Sequence, residues 1–356
     1  MGQMIDGRWH SGEATEASKG GSFKRRDSGF RDWITPDGKP GPDGQNAVPA
    51  QPDRYHLYVS HACPWAHRTL ITRALKKIEP LVPVSVVHPL MRDNGWTFKA
   101  GDGSTGDLEN GLDHLWQLYA RGRPGYSGKV TVPVLWDRVD QRIVNNESSE
   151  IMRIFNRAFN GLGATALDLY PGELAREIDH VNDQVYEAVN NGVYRAGFAT
   201  TQQAYEQAVM PLFEQLDALD ARLRASDWLV GDRTTEADIS LFTTLIRFDA
   251  IYHTHFKCNV RRIVDYDGLS RFLERMMAIP EIADTVHFDQ IKQHYYTSHL
   301  DLNPSAIIPA GPIPHWGRAW HESVSEREQA GQPAVPQSIS QGSPSLLPSR
   351  DETPHT

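Results

Sequence analysis

The residue best suited to chemistry is Cys63, which is followed directly by Pro64. Proline is favoured at the first position of a helix, so this order predicts a thiol at a helix N-terminus. Backbone N–H groups and the positive end of the helix dipole would there favour the thiolate, the nucleophilic form of cysteine. The alternative is a buried, inert cysteine, which is the usual fate of a free thiol. The position of Cys63 between a predicted strand and a helix that starts with proline favours its interpretation as a nucleophile.

Cys63 has no neighbouring cysteine to work with. Position 66 is alanine, and the second cysteine of the chain, Cys258, lies far along the sequence. An internal dithiol cycle is therefore not expected. A lone cysteine that forms a disulfide with its substrate needs a thiol from solution to release it, and glutathione is the abundant choice. The sequence predicts a monothiol mechanism.

Two further pairs of residues could bind glutathione. Pro133 interrupts a strand-like run, and a cis Val132–Pro133 bond would present the backbone of Val132 to an extended peptide. Glu147 and Ser148 begin a predicted helix, where N–H groups bind a carboxylate and Glu147 attracts an ammonium. An ordinary edge strand at Pro133 and a plain N-cap at Asn146 remain open as alternatives.

These residues require a sheet flanked by helices to bring them together. Between residues 54 and 157 the pattern alternates in the order βαβαββα, which predicts a mixed sheet with helices on its faces, as in a thioredoxin-like α/β domain. The predicted strands are Tyr55–Val59 and residues 82–87, 130–136 and 141–144; the predicted helices cover residues 70–78, 112–120 and 148–155. Helical periods then dominate over residues 178–193, 203–223, 237–252 and 269–278, with a capping box at Thr235 and Asp238.

The domain organisation follows from this order and from the length of 356 residues. We expect a loop-rich lead-in over residues 1–52, a thioredoxin-like domain over 53–160 and an all-α C-terminal domain over 170–312. A tail over residues 321–356, rich in Ser, Pro, Gln and Glu, is expected to be disordered.

Composition excludes several classes of function. The net charge of −9 opposes general affinity for nucleic acid or anionic membrane, and no run of about 18 apolar residues could span a bilayer. Two cysteines rule out a disulfide framework, which favours a reducing compartment, by default the cytoplasm. The histidines are not spaced as a convincing ligand set, so no metal is predicted.

Several separate stretches resemble the glutathionyl-hydroquinone reductases, the xi class of glutathione transferases, over roughly residues 53–312. The resemblance implies the glutathione transferase fold, a thioredoxin-like domain followed by an all-α domain, and a homodimer built through the helical domain. The matching stretches are SHACPWAHR at 60–68, KVTVPVLWD at 129–137, NNESSE at 145–150, GVY at 192–194, Tyr252, HYY at 294–296, and the segment 303–312.

The resemblance implies specific roles at the site. Cys63 would be the nucleophile and Tyr194 the proton donor and acceptor, while Tyr252 and Tyr295 would lower the pKa of Cys63 by hydrogen bonding to the thiolate. Position 129 is lysine where an arginine could also serve, and a bidentate contact would be weaker from lysine. The implied glutathione site comprises Trp96, Lys129, Val130, Thr131, Val132, Pro133, Glu147 and Ser148.

The implied reaction reduces a glutathionyl-hydroquinone to the hydroquinone. Cys63 takes the glutathionyl group as a mixed disulfide, and a second glutathione releases it as oxidised glutathione. Glutathione is then a cosubstrate, and no flavin, nicotinamide or metal is needed. Two rivals stay open: another cysteine-type glutathione transferase activity, such as thiol transfer, dehydroascorbate reduction or reductive dehalogenation, and a non-catalytic binding module on the same fold.

Overall fold

The lead-in carries short strands that the sequence analysis did not predict. The structure, a computed structural model, describes residues 2–12, 20–25 and 27–312. Three-residue strands are too short to give a recognisable period. They form one antiparallel pair, β1 (Gln3–Ile5) with β2 (Arg8–His10), and one parallel pair, β3 (Trp33–Thr35) with β4 (Ala47–Pro49).

A four-stranded mixed sheet forms the centre of the first half of the chain. Its order is β6-β5-β7-β8, with β5 parallel to β6 and antiparallel to β7. Every residue of β5 is buried, as expected for a central strand covered on both faces. The strands are β5 (Tyr55–Val59), β6 (Val84–Val86), β7 (Val134–Asp137) and β8 (Arg142–Asn145).

The strand predicted over residues 130–136 starts later than expected. The Val132–Pro133 bond is cis, as predicted, and β7 begins only at Val134. The reason is that proline has no N–H to donate to a ladder. Residues 130–132 therefore form a loop beside the sheet.

Three helices flank this sheet in the expected order, although their ends differ from the predictions by a few residues. They are α1 (Pro64–Leu75), α2 (Leu115–Gly122) and α3 (Ser148–Arg157). Leu70, Leu118 and Phe155, one from each helix, belong to the same buried core as the β5 side chains. Burial of these apolar faces holds the start of α1 near the carboxyl end of β5.

Residues 175–298 are all-helical, as expected, with differences in detail. The predicted helix 178–193 is divided by a π-helical turn at Val185–Asn190, and the predicted helix 237–252 ends in a second one at Phe248–Tyr252. The sequence analysis did not identify the last two helices. The elements are α4 (Ala175–Gln184), α5 (Gly192–Gly197), α6 (Gln202–Ala225), α7 (Glu236–Arg247), α8 (Asp267–Met277), α9 (Pro280–Ala283) and α10 (Phe288–Ser298).

The predicted capping box opens α7. The Asp238 carboxylate accepts hydrogen bonds from the backbone N–H of Thr235 at 2.8 Å and from that of Leu229 at 2.9 Å. The domain boundaries stay a prediction, and the predicted tail over 321–356 lies outside the described residues. Among the described helices, none combines the length and the apolar character needed to cross a membrane.

Candidate active site

Cys63 lies where the sequence predicts it, at the N-cap of α1. Its backbone is extended, with φ −76° and ψ 121°, and Pro64 occupies the first helical turn. The side chain is partly buried, and its thiol donates to the carbonyl oxygen of Val132 at 3.6 Å. The Cys63 thiol and the backbone next to the cis bond are therefore in direct contact.

The pKa of Cys63 is shaped by opposing effects. Burial raises the pKa of this thiol above its ordinary value, while backbone N–H groups of Ala66 and Trp65 and the charges of Arg247 and Arg25 lower it. The groups that favour the thiolate thus come from the helix N-terminus and from two arginines. The sequence predicts the contribution of the helix N-terminus, and the further contribution that the resemblance implies for Tyr252 and Tyr295 stays a prediction.

The three tyrosines form a chain of hydroxyl groups. Those of Tyr194 and Tyr295 lie 2.6 Å apart, and those of Tyr252 and Tyr295 lie 3.0 Å apart. Tyr194 and Tyr295 line the same cavity as Cys63, whereas Tyr252 is fully buried behind them. Burial raises the pKa of all three hydroxyls, so they are protonated at neutral pH. Tyr252 therefore reaches the cavity only through the two tyrosines that line it: its hydroxyl bonds that of Tyr295, and its ring centroid lies 6.0 Å from that of Tyr194.

The cavity beside Cys63 has a volume of about 170 Å³, and several aromatic side chains line it. Trp96, from the irregular loop between β6 and α2, forms one wall and stacks on His294 with 4.8 Å between ring centroids. Its backbone carbonyl accepts from the N–H of Leu115 at 3.0 Å, which ties the loop to α2. An aromatic wall of this kind suits a planar ring.

A second cavity, of about 430 Å³, shares residues 129 and 131–132 with the first. Glu147 and Ser148 line it at the start of α3, and Pro133 lines it next to the cis bond. Val130 faces the smaller cavity. Every residue of the predicted glutathione site thus borders one of these two connected spaces.

Glu147, not Asn146, is the N-cap of α3. Its carboxylate accepts from the Ser28 hydroxyl at 2.9 Å. The Asn146 side chain instead accepts from the N–H of Phe30 at 3.1 Å and donates to the Tyr119 hydroxyl at 3.1 Å. The plain N-cap at Asn146, which the sequence left open, is therefore wrong.

Among the lining residues that were not predicted as site residues, Phe23, Arg25 and Trp65 line both cavities. The Arg25 guanidinium lies 4.7 Å from the Trp65 ring centroid and 5.0 Å from that of Tyr194, in cation–π contact with both. Nothing in the spacing of the lead-in marks Phe23 or Arg25, because it has no regular period, and Trp65 lies within α1. Within the described ranges, no group of three or more His, Cys, Asp or Glu side chains could hold a metal ion.

Comparison with known proteins gives a consistent result. The family model for the glutathione S-transferase N-terminal domain matches residues 62–158, and the model for the C-terminal domain matches residues 202–275. The chain is 54% identical over 313 residues to the glutathionyl-hydroquinone reductase YqjG of Escherichia coli, covering 88% of this chain and 95% of that protein. It is 51% identical over 312 residues to the glutathionyl-hydroquinone reductase PcpF of Sphingobium chlorophenolicum, covering 88% and 96% of the two chains.

Solved structures agree with these relatives. The glutathione-bound structure of YqjG superposes with a TM-score of 0.82 and 51% identity, covering 89% of this chain and 97% of that one. A xi-class glutathione transferase from Natrialba magadii superposes with a TM-score of 0.83 and 45% identity, covering 89% and 95%. The expected fold class is confirmed. With a cysteine at the start of α1, a mixed sheet and an all-helical second half, the chain belongs to the glutathione S-transferase family, in its xi class of glutathionyl-hydroquinone reductases.

Proposed function

We propose that this protein reduces glutathionyl-hydroquinones to hydroquinones, with glutathione as cosubstrate and Cys63 as nucleophile. The observation that carries the proposal is that one aromatic cavity contains Cys63, Tyr194 and Trp96 together. The adjoining cavity, bordered by Glu147 and Ser148, offers the groups that an amino acid end requires. The smaller cavity thus suits an aromatic ring and the larger one a peptide. The Cys63 sulfur contacts Val132, which lines both cavities.

Each polar group of glutathione has a complementary group in the proposed site. Its cysteinyl backbone is an extended peptide and pairs with the backbone of Val132, next to the thiol of Cys63. Its γ-glutamyl ammonium meets the Glu147 carboxylate, and its carboxylate meets the N-terminal end of α3 and the Ser148 hydroxyl. The glutathione bound to YqjG supports this class of ligand for the present chain.

In the first step the Cys63 thiolate attacks the sulfur of the glutathionyl-hydroquinone. An S–S bond forms, the bond between sulfur and the ring carbon breaks, and that carbon keeps the electron pair. Tyr194 donates a proton to the carbon, so the hydroquinone leaves intact. Tyr194 suits this role because its raised pKa keeps the hydroxyl protonated, and because Tyr295, at 2.6 Å, can donate to the phenolate left behind.

In the second step a glutathione thiolate attacks the mixed disulfide on Cys63. Oxidised glutathione leaves, and Cys63 returns as a thiolate. The proton that restores Tyr194 comes from this second glutathione thiol. The net change converts one glutathionyl-hydroquinone and one glutathione into one hydroquinone and one oxidised glutathione, so no other reductant is required.

The test is turnover of glutathionyl-menadiol with excess glutathione, followed by hydroquinone release and by intact-mass detection of a glutathione adduct. We expect Cys63→Ala to abolish both turnover and adduct. Cys258→Ser is the matched control, because Cys258 is fully buried and lies outside both cavities. If the wild-type protein takes up glutathione on Cys63 from a disulfide probe but releases no hydroquinone, general thiol transfer replaces the proposal.

We also propose that the protein is a cytoplasmic homodimer, assembled through its helical half. The support for the compartment is that Cys63 and Cys258, the two cysteines of the chain, are both free thiols. The support for the dimer is the family resemblance. Sedimentation equilibrium of the full chain should give twice the chain mass, and a mass of one chain at micromolar concentration would contradict it.

A further inference from the structure

Arg247 is a buried cation whose hydrogen-bond partners are neutral groups. It is the last residue of α7 and has 0% of its surface exposed. Its guanidinium donates to the carbonyl oxygens of Ala62 at 3.0 Å, His61 at 2.9 Å and Thr243 at 2.7 Å. A fourth contact joins it to Nδ1 of His67 at 3.0 Å.

The imidazole in this set is itself neutral. Burial, aided by the charge of Arg247, lowers the pKa of His67 well below its ordinary value. A neutral ring can accept from the guanidinium at Nδ1 and donate from Nε2 to the Thr285 hydroxyl, which lies 2.8 Å away. Among the ion pairs formed by the described residues, none includes Arg247. Burying a charge without an opposite charge is costly, so this arrangement calls for a nearby anion.

The two carbonyls nearest the site belong to the turn that carries the nucleophile. His61 and Ala62 directly precede Cys63, and the N–H of Cys63 donates to Ser60 within the same turn at 3.1 Å. The Arg247 contacts therefore fix the backbone on which the sulfur is mounted, and they do so from the helical half of the chain. The positive charge of Arg247 also acts directly on the Cys63 sulfur.

We propose that Arg247 is the positioning residue of the nucleophile: it clamps the 61–62 backbone from the end of α7 and supplies the buried positive charge that an anionic Cys63 sulfur balances. The inference rests on the proposed nucleophilic role of Cys63. The helix N-terminus by itself offers the sulfur only partial charges, and Arg247 adds a full positive charge from a distant part of the sequence.

Other groups also face the sulfur. Arg25 of the lead-in and Arg68 of α1 carry positive charge, and Lys129 lines the same cavity from the loop before β7. The remaining titratable groups of that cavity are neutral near pH 7, because burial raises the pKa of the tyrosines and lowers the pKa of the histidines: Tyr194, Tyr295, His294 and His299. Arg247 acts on the sulfur through its charge and also holds the backbone of the turn.

The first measurement is the pH dependence of Cys63 alkylation by iodoacetamide, read by peptide mapping so that Cys258 is counted separately. Arg247→Gln removes the charge, which should raise the pKa of Cys63 by about one unit and slow alkylation near pH 7 about tenfold. Arg247→Lys keeps the charge and should leave this pKa close to that of the wild type. Arg73→Lys is the matched control: Arg73 lies on the same helix as Cys63 and donates to the carbonyls of Val82 and Glu79 only.

The second measurement keeps the proposal testable if Arg247→Gln does not fold. Arg247 reaches four acceptors with donors on three separate nitrogens, whereas a lysine has three donors on a single nitrogen and cannot contact all four. Hydrogen exchange of the peptide spanning residues 60–67 should therefore accelerate in Arg247→Lys and not in Arg73→Lys. A folded Arg247→Gln that alkylates like the wild type would overturn the proposal. Unchanged exchange in Arg247→Lys, or equal effects in Arg73→Lys, would do the same. Neither measurement uses a hydroquinone, so failure of the reductase activity is distinguished from failure of this inference.

Discussion

At the scale of single residues, the roles proposed for the site are those of a nucleophile, a proton donor and supporting groups. Cys63 combines a helix N-terminus with a contact to Val132, so one side chain links the two predicted halves of the glutathione site. The tyrosines divide by position: Tyr194 and Tyr295 reach the cavity, and Tyr252 supports Tyr295 from behind. A hydroxyl that faces the cavity can exchange a proton with substrate, whereas one behind it can only orient its neighbour.

This division predicts different effects for two otherwise identical substitutions. Tyr194→Phe should lower kcat for glutathionyl-hydroquinone by roughly 10²–10⁴-fold, because it removes the general acid. Tyr252→Phe should lower kcat far less, since the Tyr194–Tyr295 hydrogen bond remains. Both variants should retain exchange with a simple glutathione disulfide, whose leaving thiolate needs no ring protonation. Equal losses of kcat in the two variants would refute the assignment of the proton donor.

At the scale of elements, the site depends on how α1 and α7 begin and end. Cys63 is the N-cap of α1, and α7 ends at Arg247, so the end of one helix is held against the start of the other. The π-helical turn Phe248–Tyr252 follows α7 without a break and carries the third tyrosine. One continuous helical segment, α7 with its π-helical turn, thus contacts the turn before Cys63 through Arg247 and contributes Tyr252 to the tyrosine chain.

The capping box of α7 is therefore expected to contribute to stability more than an exposed cap does. Thr235 is fully buried, and its substitution by alanine should lower the free energy of unfolding by about 1–2 kcal/mol. The comparison is Thr201→Ala at the exposed N-cap of α6, where the Thr201 hydroxyl accepts from the N–H of Ala204 at 3.2 Å. Urea denaturation measures both variants. A loss at Thr201 equal to that at Thr235 would show that burial of the cap adds nothing.

At the scale of the whole molecule, the chain is held together by contacts between segments far apart in sequence. The lead-in adds Phe23 and Arg25 to the cavities, which explains why the site is not confined to the sheet domain. A partly buried ion pair joins α3 to α7: the Arg153 guanidinium, which is half-buried, contacts the Glu236 carboxylate at 2.7 Å, and Glu236 is only 2% exposed.

Breaking this ion pair should destabilise the whole protein. Arg153→Met leaves Glu236 buried without its main partner, for which a loss of about 3 kcal/mol in unfolding free energy is expected near neutral pH. Burial already raises the pKa of Glu236, and loss of Arg153 raises it further. A carboxyl whose folded pKa exceeds its unfolded value destabilises the fold increasingly as pH rises above the unfolded value.

The Arg153→Met defect should consequently be smaller at pH 5 than at pH 7.5, as read from urea denaturation at both values. The double variant Arg153→Met with Glu236→Gln is the control, since it removes the unpaired charge and should show little pH dependence of the defect. A defect of the same size at both pH values in the single variant would indicate lost packing rather than an unpaired carboxylate.

Much of the fold could be predicted from local patterns. The strand–helix order of the first half and the four main helical regions follow from apolar periodicity, which is a property of neighbouring residues. A proline constrains its own residue and the one before it. The N-cap at Cys63 and the cis Val132–Pro133 bond could therefore also be predicted. Shorter elements were missed because three or four residues carry no period, as in β1–β4 and α9.

The sequence by itself therefore determined the fold class, and short motifs singled out Cys63 and residues that border the two cavities. The catalytic and glutathione-binding roles of these residues stay predictions. Only the tertiary structure decided the rest. It placed Tyr252 behind Tyr295, brought Phe23 and Arg25 to the cavity, and set Arg247 against the turn before Cys63. Arg247 and Ala62 are 185 positions apart, and nothing in the local pattern of either segment specifies the other. Such contacts exist because burial of apolar faces packs distant helices together, and that packing is a property of the whole chain.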